Sequence, residues 1–205
     1  MSTSRHDPQF VLACAALVVL GVIMSAIALV TADFIVEGND FVSDTISEMA
    51  SGQENRWIMD LGIYGLALAT LSAALGCAHI HLGHTRWSLG TGALGLMAFV
   101  IFMIGVRDEY GDGDNEGIAI HIYLVYALGV LMAAAPLLLS PAATGLSHAH
   151  VVALRSFAIL WVVAAPIFFF VPDAWDGLYE RGLGVIAAAI LLSIASLLRK
   201  GAYTP

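Results

Sequence analysis

The sequence predicts an all-α polytopic membrane protein, six transmembrane helices in one bundle with a short amphipathic helix between helices one and two. Three observations carry this. The 205-residue chain is 60% apolar with a mean hydropathy of +0.87, far above the roughly 45–50% apolar content of soluble domains. Six apolar runs come close to the ~20 residues that cross about 30 Å of hydrocarbon. Nearly all acidic residues crowd into three of the five connections, while the other two carry His or Arg and no acid.

The predicted spans are 10–32, 57–78, 88–106, 118–139, 151–171 and 178–198. The first follows MSTSRHDPQF, which has one Arg and no small-residue cleavage pattern, so it reads as a retained helix and not a removed signal peptide. It runs to Asp33, whose charge must lie among the headgroups or pair inside the bundle. The polar passage DFVSDTISEMASGQENRWIMD follows. In it Val42, Ile46 and Met49 recur with helical spacing and Ser43, Asp44, Ser47 and Glu48 turn the other way, which predicts an amphipathic lid from Phe41 to Ala50.

The second span opens with Trp57, an interface anchor, and places Asp60 one turn in. Its Gly, Ala and Ser content permits close helix approach. The third repeats this with Gly90, Gly92, Gly95 and Gly105, so both are expected to face the interior. The fourth begins with His121, Tyr123 and Tyr126 and contains Pro136, tolerated where neighbours satisfy the freed carbonyl. The fifth contains Pro166 and ends in Phe168, Phe169 and Phe170, and the sixth follows VPDAWDGLYER. No stretch is polar enough to form a soluble domain, so residues 1–205 are expected to be a single transmembrane domain.

Because cytoplasmic flanks are enriched in Lys and Arg, Arg5, Arg86, Arg155, Arg199 and Lys200 are placed inside and Arg56, Arg107 and Arg181 outside. Both termini are then cytoplasmic, the acidic loops periplasmic, and the location a cytoplasmic (inner) membrane. The formal charge of −8 argues against nucleic acid as a partner. Cys14 and Cys77, the two cysteines, fall near the cytoplasmic end and are expected as free thiols.

Asp60, His121 and Glu180 each stand just past the start of an inward-running helix, at similar depth. Together with Asp44, Ser47, Glu48, Arg107, Asp108 and Arg181 they form an outer-face set. Ionisable groups in spans are expensive, about 2.5–3.5 kcal/mol each on insertion scales, so several at one level suggest a shared polar cavity. Carboxylates with an imidazole suit a divalent metal such as zinc, manganese or iron carrying a water nucleophile. In that arrangement Asp60, His121 and Glu180 hold the metal and Asp44 or Glu48 is the catalytic base. Ser43, Ser47, Arg107, Asp108 and Arg181 line the ligand pocket. The plain structural alternative has Glu180 and Arg181 snorkelling, Asp60 capping or ion-paired, and His121 bonded to a carbonyl.

DGDNEG at 112–117 resembles half of a calcium loop, but Tyr123 stands where a bidentate Glu is needed, so it reads as a solvated acidic turn. His79, His81 and His84, with His148 and His150, form an imidazole density at the opposite end without acids to orient it. A haem would want paired histidines at matching depth, and only His121 is clearly within a helix on its side. The sequence contains no P-loop, GxSxG or HExxH, and Ser43, Ser47 and Ser51 have no sequence-local base.

VSDTISEMASG, then RWIMDLGIYGLALA, then GVRDEYGDGDNEGIAIHIYLVYALG resemble the bacterial and archaeal membrane proteins of domain-of-unknown-function family 998. Its members are six-helix proteins with an S-D-x-[IV]-S-[DE] segment after helix one and a His opening helix four. The likeness runs from about helix one to helix five. It implies fold and topology and brings no activity. Ser43, Asp44, Ser47, Glu48, Asp60, Asp108 and His121 occupy the motif positions, with Glu48 where Asp is common. Three functional classes follow. The leading one is a non-catalytic protein binding membrane lipid, a membrane-protein partner or a second copy of itself. The second is a metal-dependent hydrolase or transferase, and the third a proton-coupled carrier titrating Asp60 and Glu180.

Overall fold

The first helix starts where its caps dictate. Asp7 accepts a hydrogen bond from the Gln9 amide at 2.9 Å, and Pro8 occupies the position whose N–H would have no helical partner. The computed structural model describes residues 6–50, 55–83, 85–106 and 120–203. Six helices in it are long and apolar enough to cross a membrane: α1 (Pro8–Ile35), α3 (Trp57–Ile80), α4 (Thr85–Val106), α5 (Ile120–Leu139), α6 (His148–Ile167) and α7 (Asp176–Ala202), with a short α2 (Ile46–Met49) between the first two. A 3-10 turn over Phe168–Phe170 continues the fifth span. The protein is thus a multi-pass helical membrane protein.

Successive spans pack on one another, α7 closes against α1, and α3 touches α7 across the ring. An even number of crossings brings the ends together, and the His6 imidazole meets the Ala202 carbonyl at 3.4 Å. Close approach is tightest between α1 and α3. A methyl at Gly21 would collide with the Gly65 carbonyl and Ala69, and one at Gly62 would stand 2.7 Å from the Ala28 Cβ. With no hydrophobic force to favour helix contact over lipid contact, such backbone proximity supplies the packing that holds two spans together. Of the two Gly-rich spans expected inside, α3 is the most buried at 61%, whereas α4 is 33% buried and Gly92 and Gly95 on it have nothing within 4 Å. α7, at 44%, takes the second interior place.

The amphipathic segment is helical over four residues, not ten. Asp40 turns the chain first, its Oδ1 accepting from the Val42 and Ser43 amides at 2.8 and 3.4 Å. Thr45 then starts α2 with a capping box: the Glu48 amide donates to Thr45 Oγ1 at 3.1 Å, and the Thr45 amide donates to Glu48 Oε2 at 2.7 Å. The loop in front satisfies α7, whose Gly177 and Leu178 amides donate to the Ser43 and Val42 carbonyls. At the other end, the Trp87 indole donates to the Cys77 carbonyl at 2.8 Å, and Cys14 and Cys77 are buried free thiols.

Candidate functional site

A buried arginine needs partners, and Arg181, 6% exposed in the first turns of α7, finds them for both terminal nitrogens while its Nε is left without one. One terminal nitrogen pairs with Asp33 at the end of α1 and lies 3.7 Å from the Met49 sulfur. The other donates to the Asp44 and Gly177 carbonyls at 2.8 and 2.9 Å. The Phe41 ring covers the guanidinium, with its centroid 4.7 Å away. Asp33 therefore resolves its charge by pairing inside the bundle. Arg181, expected among ligand-pocket residues, is the tie that fastens α1 and the α2 segment to α7.

Beneath α2 lies an apolar cavity of about 710 Å³, within the roughly 300–1,000 Å³ typical of small-molecule sites. Ile46 of α2, Ile63 and Thr70 of α3, Ile101 of α4 and Ala187 and Leu191 of α7 form its inner wall. Its outer wall is α5 and α6, where Tyr126, Val130, Val162 and Phe169 line it while exposed on the bundle surface, so the space opens sideways between these two helices. The polar atoms in its walls are largely satisfied. Thr70 donates to the Leu66 carbonyl at 2.8 Å, and Trp161 donates to the Gly129 carbonyl at 2.9 Å, tying α6 to α5. An aromatic cluster guards the α2 end, with Tyr126 5.4 Å and Phe168 5.7 Å from Phe169 between ring centroids.

Among the described residues, Glu180 is the one charged residue lining the cavity. Its Oε2 accepts the Ile46 amide at 2.5 Å. The next residue, Ser47, has its Oγ 3.4 Å from Nε2 of His121, which is 8% exposed at the start of α5. Two consecutive residues of α2 are thus held by side chains from two different spans.

The remaining expected residues are placed as follows. Asp44 turns back on its own loop, accepting from the Asp40 amide at 2.8 Å and the Ser43 hydroxyl at 3.1 Å. Glu48 belongs to the capping box. Asp60 stands in the first turn of α3, where its charge favours the helix N-terminus and, with that of Arg56, reaches Tyr64. Arg107, Asp108, His84 and the acidic turn at 112–117 lie outside the described residues. Among the described residues, no three His, Cys, Asp or Glu side chains form a group able to hold a metal. Asp60, His121 and Glu180 are therefore not gathered into one site. Equal depth does not set the direction a side chain faces round its helix, and Glu180 and His121 both reach α2.

At the opposite end, His79 Nε2 accepts the Asp7 amide at 2.8 Å and packs on Phe10, and His150 contacts the Ser196 hydroxyl at 3.0 Å. These imidazoles act as local struts. The sequence reading missed Asp33 as a partner for Arg181, and it missed the cavity. Asp33 was signalled by its charge at a span end, whereas the cavity walls are Ala, Leu, Gly and Trp that read like any packed span.

Fold and site together define a six-span helical membrane protein with an apolar cavity roofed by a short polar segment. The chain belongs to DUF998, a family of proteins of unknown function, whose sequence profile matches residues 10–197. No curated protein and no solved structure matches it.

Proposed function

We propose that this protein binds a membrane amphiphile, with an acyl chain in the α5–α6 cavity and a polar head under α2. The observation that carries this is the cavity itself. Apolar walls give water too few partners to fill it, and its side opening lies on the surface that faces hydrocarbon. The head end is acidic: Glu180 borders it, and the nearby Arg181 charge is taken up by Asp33. That balance favours a neutral or cationic head over an anionic phosphate. By the placement of basic residues the site faces outward, in the cytoplasmic membrane of a bacterium or archaeon with both termini inside.

The test fills the space. Gly129 and Gly184 both line the cavity and have nothing within 4 Å of an added Cβ. Lipid co-purifying with the wild type should be lost, at least several-fold, from Gly129→Leu and Gly184→Leu variants of unchanged thermal stability, as read by native mass spectrometry. Equal lipid in all three, or a lipid-free wild type, would remove the proposal.

A further inference from the structure

We propose that Ser47 and His121 form a nucleophile and general-base pair that cleaves the acyl ester of a lipid seated in the cavity. The inference rests on the amphiphile-binding reading and adds a reaction to it. Ser47 comes from α2 and His121 from α5, 74 residues apart, and the fold brings Oγ to 3.4 Å from Nε2. Catalytic hydrogen bonds are often this long before substrate binds and tighten in the complex. Ser47 is half-buried and His121 buried, so the hydroxyl can be reached while the base is held in place. Neither side chain lines the cavity, and the serine adjoins its polar end through the backbone of α2. Ile46, the residue before Ser47, lines the cavity, and Glu180 fixes its amide while the Thr45 capping box fixes the turn. An ester whose acyl chain lies among the apolar walls reaches the serine by carrying its head past Ile46 at the edge of the cavity.

The chemistry balances without a further reactant beyond water. Ser47 Oγ bonds to the acyl carbon as its proton passes to His121 Nε2. The ester C–O bond then breaks, and the imidazolium returns that proton to the leaving alcohol. Water attacks the acyl-serine with His121 again taking the proton, releasing a fatty acid and restoring the serine. A second serine–histidine contact, Ser196 with His150 at 3.0 Å, lies exposed at the opposite end of the bundle, with no cavity-lining residue beside it in the chain, and supplies an internal control.

The experiment treats the full-length protein in detergent with a long-chain alkyl fluorophosphonate and maps the labelled peptide. Labelling at Ser47 is expected, absent in Ser47→Ala, slowed at least about 100-fold in His121→Gln, and unchanged in Ser196→Ala. Turnover of a long-chain p-nitrophenyl ester should be lost in Ser47→Ala, which keeps the test decisive if the histidine variant fails to fold. No label at Ser47 in the wild type, or a labelling rate indifferent to His121→Gln, overturns the pair. Lipid retained by Ser47→Ala would show that the cavity reading survives that failure. A wild type that neither labels nor retains lipid overturns both.

Discussion

The two halves of the ring use the same small residues to opposite ends. On the α1–α3 side glycine removes a side chain so that backbones can touch: Gly21 faces the Gly65 carbonyl, and Gly62 faces Ala28. On the α5–α6–α7 side it removes a side chain and nothing fills the gap, since Gly129 and Gly184 have nothing within 4 Å. Burial sets α3, at 61%, against α5 and the His148–Phe170 span, at 22% each, while α1 at 33% and α7 at 44% fall between. A glycine in a spanning helix thus marks a missing side chain, and only the neighbour decides whether that is a seam or a cavity. The Arg181–Asp33 tie joins the two sides, holding the start of α7 to the end of α1.

The comparison can be broken at several strengths. Arg181→Met should have the largest effect, destabilising the protein by about 3–5 kcal/mol in detergent unfolding, because Asp33 would remain buried without its cation. Adding Asp33→Asn should recover part of that loss, and a double variant no better than the single one would show that the pair does not hold α7 to α1. Gly21→Val in the seam should cost about 1–3 kcal/mol by overpacking. Thr45→Ala, which removes the α2 cap, should cost about 1 kcal/mol and loosen the roof. The smallest effect is expected of Gly184→Ala in the open half, neutral or stabilising by up to about 1 kcal/mol from helix propensity. Should Gly184→Ala destabilise as Gly21→Val does, the two halves are not different.

How much of this could be read in advance depends on the range of the force involved. The six spans lie within a few residues of their expected limits, because length and hydropathy decide membrane crossing locally. The lid was read too long: Val42, Ile46 and Met49 have helical spacing, but Asp40 captures the amides before Thr45 and delays the helix to Ile46. Asp33 announced that it needed a partner, yet nothing local pointed to Arg181, 148 positions away. Ser47 likewise had no base in its own neighbourhood, and its histidine arrives only through folding. Depth along a helix was legible for Asp60, His121 and Glu180, while azimuth was not. That is why Glu180 and His121, expected to share an ion with Asp60, meet consecutive residues of α2.

The central claim, that the open half holds an acyl chain, is tested most directly at Trp161, which lines the cavity yet is 8% exposed. A variant with Trp57, Trp87 and Trp175 replaced by Phe reports Trp161 fluorescence alone, and a lipid brominated along its acyl chain quenches a tryptophan it touches. The account predicts quenching that saturates at one lipid per protein and disappears when Gly184 is replaced by Leu. Quenching that rises in simple proportion to the brominated fraction of the surrounding lipid, unaffected by Gly184→Leu, would contradict it.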